Sequence, residues 1–130
     1  MPIRGIRGAT TVSSDDHDLI LQATCELLET ILDENNAIQL DEIASVLFTT
    51  TEDIASTYPA LAARQMGWDI VPMMCAREIP VPGSLPLCIR VLIHWNTGRE
   101  QAAIKHVYLR GAVALRPDLV GSMRSTQENT

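Results

Sequence analysis

An arginine in the middle of an apolar segment is the residue in this sequence most suited to chemistry. Arg90 lies within Leu87-Cys-Ile-Arg-Val-Leu-Ile-His-Trp95, whose neighbouring positions are apolar on both sides. A strand of this kind is usually buried on both faces, and an unpaired guanidinium inside it is strongly destabilising. The charge therefore needs a partner. An ion pair with Glu78 or another carboxylate and the binding of an anionic ligand are equally compatible with this placement.

Five further residues are candidates whose individual patterns favour a structural role. Arg7 lies in an N-terminal strand, where arginines are common, and Arg116 precedes Pro117 as a surface charge would. Cys75 and Glu78 lie at the end of a predicted strand, where loops tend to carry sites, yet a lone cysteine is more often a small buried hydrophobe. Tyr108 shares a polar strand face that could line a cleft.

Composition excludes several other classes of function. The three histidines lack metal-ligand spacing, the three cysteines form no CxxC pair, and no glycine-rich nucleotide loop is present, so neither a metal nor another cofactor is expected. A net charge of −6 argues against a nucleic-acid surface and against a polybasic membrane contact. With an odd number of cysteines, no signal sequence and no apolar run of about 20 residues, a cytoplasmic protein is expected.

The element that the sequence predicts most clearly is a helix over residues 19–32, where apolar residues recur at helical spacing. Ser13 or Ser14 is the expected N-cap, and Asn35-Asn36 the expected left-handed end. Pro59 is expected to start a short helix that ends at Gly67. Strands are predicted over residues 3–12, 43–51, 68–75, 87–95 and 106–109, although a helix competes over the first half of 43–51.

These elements predict an α+β (α/β) domain in which a mixed β-sheet packs with one long and one short helix. A brief helix over 99–104 and a closing segment over 115–119 complete it. We expect one domain over residues 1–120, followed by a flexible tail over 121–130.

Several motifs in one order resemble the α/β class of monofunctional chorismate mutases. They are Ile3-Arg-Gly-Ile-Arg-Gly-Ala-Thr-Thr11, Val71-Pro-Met-Met-Cys-Ala-Arg-Glu78, Cys88-Ile-Arg-Val91, His106-Val-Tyr-Leu109 and Leu115-Arg-Pro-Asp-Leu119. The resemblance spans about Ile3 to Leu119, nearly the whole chain. It implies rearrangement of chorismate to prephenate in phenylalanine and tyrosine biosynthesis, without a cofactor. It also implies a homotrimeric pseudo-barrel with sites between subunits, Arg7 coming from one chain and Tyr58 from its neighbour.

The resemblance also assigns catalytic roles to five residues. Arg90 matches the arginine that contacts the breaking ether oxygen and a substrate carboxylate. Arg7 matches the one that holds the side-chain carboxylate, and Tyr108 is similar to the tyrosine beside it. Glu78 and Cys75 resemble the pair that contacts the ring hydroxyl.

Seven substrate-binding positions follow from the same resemblance: Tyr58, Ala60, Arg64, Met73, Met74, Leu115 and Arg116. Two departures from the family pattern are present. Leu61 stands where some members carry a lysine that attracts the ring carboxylate, and one residue fewer precedes Gly67-Trp68, which leaves the local register open. The main alternative function is a non-catalytic trimeric protein that binds small carboxylates, and the next is a purely structural oligomer.

Overall fold

One five-stranded mixed sheet organises residues 1–116, the part of the chain that the computed structural model describes. The strands are β1 (Ile3–Thr11), β2 (Ile43–Thr50), β3 (Met73–Arg77), β4 (Cys88–Asn96) and β5 (Val107–Tyr108). In the sheet order β3-β2-β4-β1-β5, the central β4 is antiparallel to β2 and β1, while β3 and β5 are parallel edge strands. With helices α1 (His17–Glu34) and α2 (Pro59–Gln65), this confirms the predicted fold class.

Helix α1 packs its apolar side against the sheet. Its buried residues recur at helical spacing: Ile20, Ala23, Thr24, Leu27, Leu28 and Ile31. The predicted N-cap at Ser13 or Ser14 was wrong: the carboxylate of Asp16, the last extended residue, accepts a hydrogen bond from the Leu19 N–H at 3.0 Å. At the other end Asn36 adopts a left-handed φ of 65°, as predicted.

The two faces of the sheet have different environments. On the face toward α1, the alternate residues of β4 are buried, including Val91, Ile93 and Trp95. On the other face Arg90, Leu92 and His94 are half-buried. The prediction that this strand is buried on both faces was therefore wrong for the single chain, because α1 and α2 pack on one face.

Strand β3 lies further along the chain than predicted. Trp68 does not begin a strand; it is buried against the core, and Val71 donates a 3.4 Å hydrogen bond back to its carbonyl in a turn. Pro72 cannot donate to a sheet ladder, so regular pairing begins at Met73, and β3 is an edge strand. Two 3₁₀ helices are also present: Leu40–Glu42 precedes β2, and Gln101–Ala103 replaces the brief helix predicted over 99–104.

The C-terminal part of the described chain consists of short elements. The predicted last strand, 106–109, contains only the two residues of β5, although the Leu109 N–H also donates to the Ala9 carbonyl at 2.9 Å. A 3₁₀ helix, Arg110–Leu115, follows. Residues 117–119 of the predicted closing segment and the predicted tail, 121–130, lie outside the described residues.

Gly8 allows α1 to approach β1 closely. A Cβ atom at this position would lie 2.7 Å from Ile31 Cδ1 and 3.1 Å from Val91 Cγ1. We expect Gly8→Ala to lower the free energy of unfolding by about 1–3 kcal/mol, because a well-packed interface accepts an extra methyl group only by shifting. Urea titration would measure this. Gly98→Ala is the control, since nothing lies within 4 Å of a Cβ there; equal stability of the two variants would contradict the packing argument.

Candidate active site

The open face of the sheet carries a cavity of about 290 Å³, which we call the arginine cavity. Arg90 lies at its centre, because β4 is the middle strand and its register pairs Arg90 with Ala9 on one side and Thr49 on the other. The remaining side chains that line it come from β1, β2, β4, β5 and the residues after β3 and β5: Arg7, Leu47, Glu78, Val91, Leu92, Tyr108 and Leu115.

Arg90 has both a carboxylate neighbour and a cavity in front of it. Its Nε lies 3.6 Å from Oε2 of Glu78, within ion-pair distance but beyond an ordinary hydrogen bond. The Nε atom itself is buried and has no hydrogen-bond partner, while the side chain as a whole is 42% exposed. The ion pair that the sequence suggested is therefore present but loose, and the guanidinium still opens toward the cavity, where an anionic ligand stays a prediction.

Glu78 is held in place by the neighbouring strand. Its backbone N–H donates to the Thr50 carbonyl at 2.9 Å, which extends the β2–β3 pairing by one residue. The Thr49 hydroxyl donates a short hydrogen bond to Oε2, the same oxygen that faces Arg90. Thr49 thus fixes the carboxylate that lies beside the central guanidinium.

The charge of the arginine cavity is positive although the chain carries −6. Arg7 and Arg90 contribute two guanidinium groups and Glu78 one carboxylate. Cys88, beside Arg90 on the same face, adds no charge, because burial raises the pKa of its thiol even though Arg90 acts in the opposite direction. This arrangement favours an anionic ligand.

A second cavity, of about 330 Å³, lies beside β3 and the start of α2, and we call it the Tyr58 cavity. Tyr58 is 69% exposed at its rim, whereas Cys75 is half-buried and packs against the core. Arg77 ties the loop before α2 to β3, since its Nη1 donates to the carbonyls of Thr51, at 2.8 Å, and of Ile54.

The family model for chorismate mutase type I matches residues 3–119 of the chain. The chain belongs to this family. It is 56% identical over 117 residues to chorismate mutase AroH of Thermus thermophilus, covering 90% of this chain and 96% of that protein. It is 46% identical over 120 residues to chorismate mutase AroH of Bacillus subtilis (strain 168), covering 92% of this chain and 94% of that one. The predicted resemblance is confirmed, and the chain is a chorismate mutase, an isomerase of aromatic amino acid biosynthesis.

A solved chorismate mutase from Clostridium thermocellum has the same fold. It matches the mutase with a TM-score of 0.82 at 48% sequence identity, and the match covers 85% of this chain and 97% of that chain. Sequence and fold therefore agree on the family over almost the whole described part of the mutase.

Within one chain the mutase does not gather its predicted site residues in one place. Arg7, Glu78, Arg90, Tyr108 and Leu115 line the arginine cavity. Cys75, predicted to act as a pair with Glu78, lines the Tyr58 cavity instead, because strand alternation turns its side chain to the opposite face of the sheet.

The other predicted substrate-binding residues lie outside both cavities. Ala60 is buried in α2, and Arg64 is exposed on the same helix. Met73 packs against the core, while Met74 is 70% exposed on the open face. Arg116 lines a third hollow, next to Tyr108.

Neither a membrane span nor a metal cluster is found in the described residues. None of the helices within 1–116 is long and apolar enough to cross a bilayer. The same residues contain no group of three or more His, Cys, Asp or Glu side chains arranged to hold a metal ion.

Sequence reasoning missed two residues that contact predicted site residues. Thr49 contacts Glu78, and His106 accepts a hydrogen bond from the backbone of Arg7. The available signal for Thr49 was its alternation within 43–51, which puts it on the face of Leu47. Its contact with Glu78 depends on the register between β2 and β3, which no local pattern specifies.

Proposed function

We propose that the mutase rearranges chorismate to prephenate with Arg90 of the arginine cavity as the group that stabilises the transition state. The observation that carries this proposal is the half-open guanidinium of Arg90, whose buried Nε has no hydrogen-bond partner. A guanidinium with spare hydrogen-bonding capacity, in a cavity of positive charge, is suited to an oxygen that becomes anionic.

The reaction requires positioning and electrostatic stabilisation, not proton transfer. It is a unimolecular, concerted [3,3] rearrangement, so no nucleophile or general base takes part. Holding the flexible substrate in the compact conformer in which the reacting carbons approach removes much of the entropic barrier. Arg90 then contributes by interacting more strongly with the ether oxygen as the C–O bond breaks, because its guanidinium meets more negative charge in the transition state than in the ground state.

The remaining residues of the arginine cavity bind the parts of the substrate that do not change charge. Arg7 is suited to the side-chain carboxylate, since guanidinium groups bind carboxylates in a bidentate manner. Tyr108 donates a hydrogen bond beside it. Glu78, held by Thr49, accepts a hydrogen bond from the ring hydroxyl. Tyr58, Cys75 and the remaining predicted residues contact the same substrate from a neighbouring chain.

We infer that the mutase is a homotrimer whose sites lie between subunits. The support is that Glu78 and Cys75 line different cavities of one chain, so both reach one substrate only if two chains contribute. Further support comes from the large apolar side chains exposed on the single chain: Ile3, Tyr58, Ile70, Met74, Ile79 and Val81. Sedimentation equilibrium would test this, and a fully active monomer would overturn it. We also infer a cytoplasmic location, which the three free cysteines support.

Incubation with chorismate tests the proposed function. We expect the ultraviolet absorbance of chorismate to decay in proportion to enzyme concentration, with prephenate as the product. Saturable binding without decay would instead favour a non-catalytic carboxylate-binding protein, and neither binding nor decay would favour a structural oligomer.

Cys75→Ser is expected to retain much of the activity, with kcat/KM within about tenfold of wild type. The proposed role of Cys75 is hydrogen bonding, and a serine hydroxyl can also donate and accept. Steady-state kinetics would measure the change. Cys25→Ser is the control, because it makes the same substitution on α1, away from the strand that carries Cys75. Complete loss of activity in a folded Cys75→Ser protein would count against a hydrogen-bonding role and favour thiolate chemistry.

A further inference from the structure

The outer edge of β1 is covered partly by side chains that take the place of a neighbouring strand. Strand β5 pairs with β1 only at Gly8 and Ala9. Before that point, the side-chain amide of Gln101 accepts from the Gly5 N–H at 3.0 Å and donates to the Gly5 carbonyl at 2.7 Å. Between these two regions, Nδ1 of His106 accepts from the Arg7 N–H at 2.9 Å.

The hydrogen bond to His106 connects this edge of β1 directly to the site. The donor is the backbone N–H of Arg7, whose guanidinium lines the arginine cavity. Tyr108, which lines the same cavity, follows His106 by two residues in the sequence. A single ring therefore connects the backbone of one cavity residue to the segment that carries another. Without that acceptor, the Arg7 N–H would have no partner on this edge among the described residues.

We propose that His106 is a positioning residue of the mutase: its neutral imidazole, protonated on Nε2 alone, holds Arg7 and Tyr108 at their places in the arginine cavity. This inference rests on the proposed function for its kinetic consequence, but its structural content does not depend on catalysis. Protonation of Nδ1 would place two donors against each other and remove the hydrogen bond.

The surroundings keep the ring neutral. Partial burial, and then the positive charge of Arg7, lower the pKa of His106 below its ordinary value. Arg7 on β1 is the charged group that acts on the ring, while Glu34 of α1, Lys105, Tyr108 and Arg116 line the hollow that His106 also lines. The positive charge of Arg7 disfavours a second positive charge on the imidazole.

The lowered pKa has a consequence for stability. The folded mutase binds the His106 proton less readily than the unfolded chain, so the stabilisation is fully present above the ordinary histidine pKa and is lost as pH falls through the folded value. We expect wild type to lose more unfolding free energy than His106→Asn between pH 7 and pH 5, because asparagine does not titrate. Urea titrations at the two pH values would measure the difference. Parallel losses in both proteins would overturn the assignment of a neutral ring.

Two variants separate positioning from simple packing. His106→Asn keeps an acceptor near the position of Nδ1, whereas His106→Leu keeps a similar volume without one. Because a carboxylate held by Arg7 is equally charged before and during the reaction, the lost contact should appear mainly in KM. We expect KM to rise about tenfold in His106→Leu, with kcat little changed, and to stay within about twofold of wild type in His106→Asn.

Gln101→Ala is the matched control, because it removes two hydrogen bonds from the same edge without touching Arg7. It should lower thermal stability and leave KM within about twofold of wild type. An unchanged KM in folded His106→Leu, or an equal rise in His106→Asn and His106→Leu, would overturn the proposal. If His106→Leu does not fold, the KM of His106→Asn still tests the proposal, because a tenfold rise in that variant would contradict the acceptor role.

Nitrogen NMR of the labelled mutase gives a readout that needs no substrate. At pH 7 we expect the His106 ring to show one protonated and one unprotonated nitrogen, with the unprotonated Nδ1 coupled to the Arg7 amide proton across the hydrogen bond. A protonated Nδ1 would overturn the proposal. Failure to convert chorismate, with this signature present, would instead refute the proposed function and leave the role of His106 as the Arg7 acceptor intact.

Discussion

Arg90→Ala is expected to lower kcat/KM by at least about a thousandfold, equivalent to about 4 kcal/mol of transition-state stabilisation. The reason is that the guanidinium supplies a positive charge where negative charge develops, and Glu78, whose carboxylate lies 3.6 Å from the Arg90 Nε, has the opposite sign. The loss should appear in kcat as well as in kcat/KM, because the contact with the ether oxygen strengthens in the transition state. Stopped or continuous assays of chorismate decay would measure both constants.

Arg90→Lys tests whether charge alone suffices. An ammonium keeps the charge but cannot present the planar, two-armed donor that bridges two oxygens, so we expect this variant also to lose most of its activity. Arg110→Ala is the control, since it removes one arginine that pairs with Glu26 at the surface. Turnover like that of wild type in both Arg90 variants would refute the assignment.

Activity is expected to return when two inactive variants assemble together. Arg90→Ala disables the arginine cavity. Tyr58→Asp, at an exposed position, puts a carboxylate at the rim of the Tyr58 cavity, where it repels a dianionic substrate. If each site combines the arginine cavity of one chain with the Tyr58 cavity of its neighbour, about one quarter of the interfaces in randomly mixed trimers contain two intact halves.

Co-expression of the two variants at equal levels would measure this recovery. The activity of the mixed assembly should approach about one quarter of wild type, while each variant alone stays near background. A double variant that carries both substitutions in one chain, mixed with wild type, controls for subunit exchange. No recovery in mixed assemblies would contradict a site shared between chains and would place both halves in one subunit.

Local sequence patterns were sufficient for the elements whose packing is local. The helical spacing of apolar residues predicted α1, and the apolar segment around Arg90 predicted β4. The predicted bounds were wrong where contacts with a neighbouring element determine the local structure. Trp68 has strand propensity, yet its burial against the core takes precedence, and β3 starts only after Pro72.

The candidate site depended more strongly on register than the fold did. That Arg90 faces the same way as Arg7 follows only once β1 and β4 pair with Ala9 opposite Arg90. That Cys75 turns toward the core beside Phe48, and not toward the open face, follows from the pairing of β3 with β2. Spacing along one strand cannot supply such information, because a slip of one residue exchanges the two faces. The family resemblance supplied the function before any of these contacts could be known.

A crystal structure of the mutase with a bicyclic dicarboxylate analogue of the transition state tests the central claim most directly. We predict that the ether oxygen of the analogue lies within about 3 Å of the Arg90 guanidinium, inside the arginine cavity, with Tyr58 of an adjacent subunit across from it. An analogue bound elsewhere, with Arg90 still directed at Glu78 and no contact to the ether oxygen, would contradict the account.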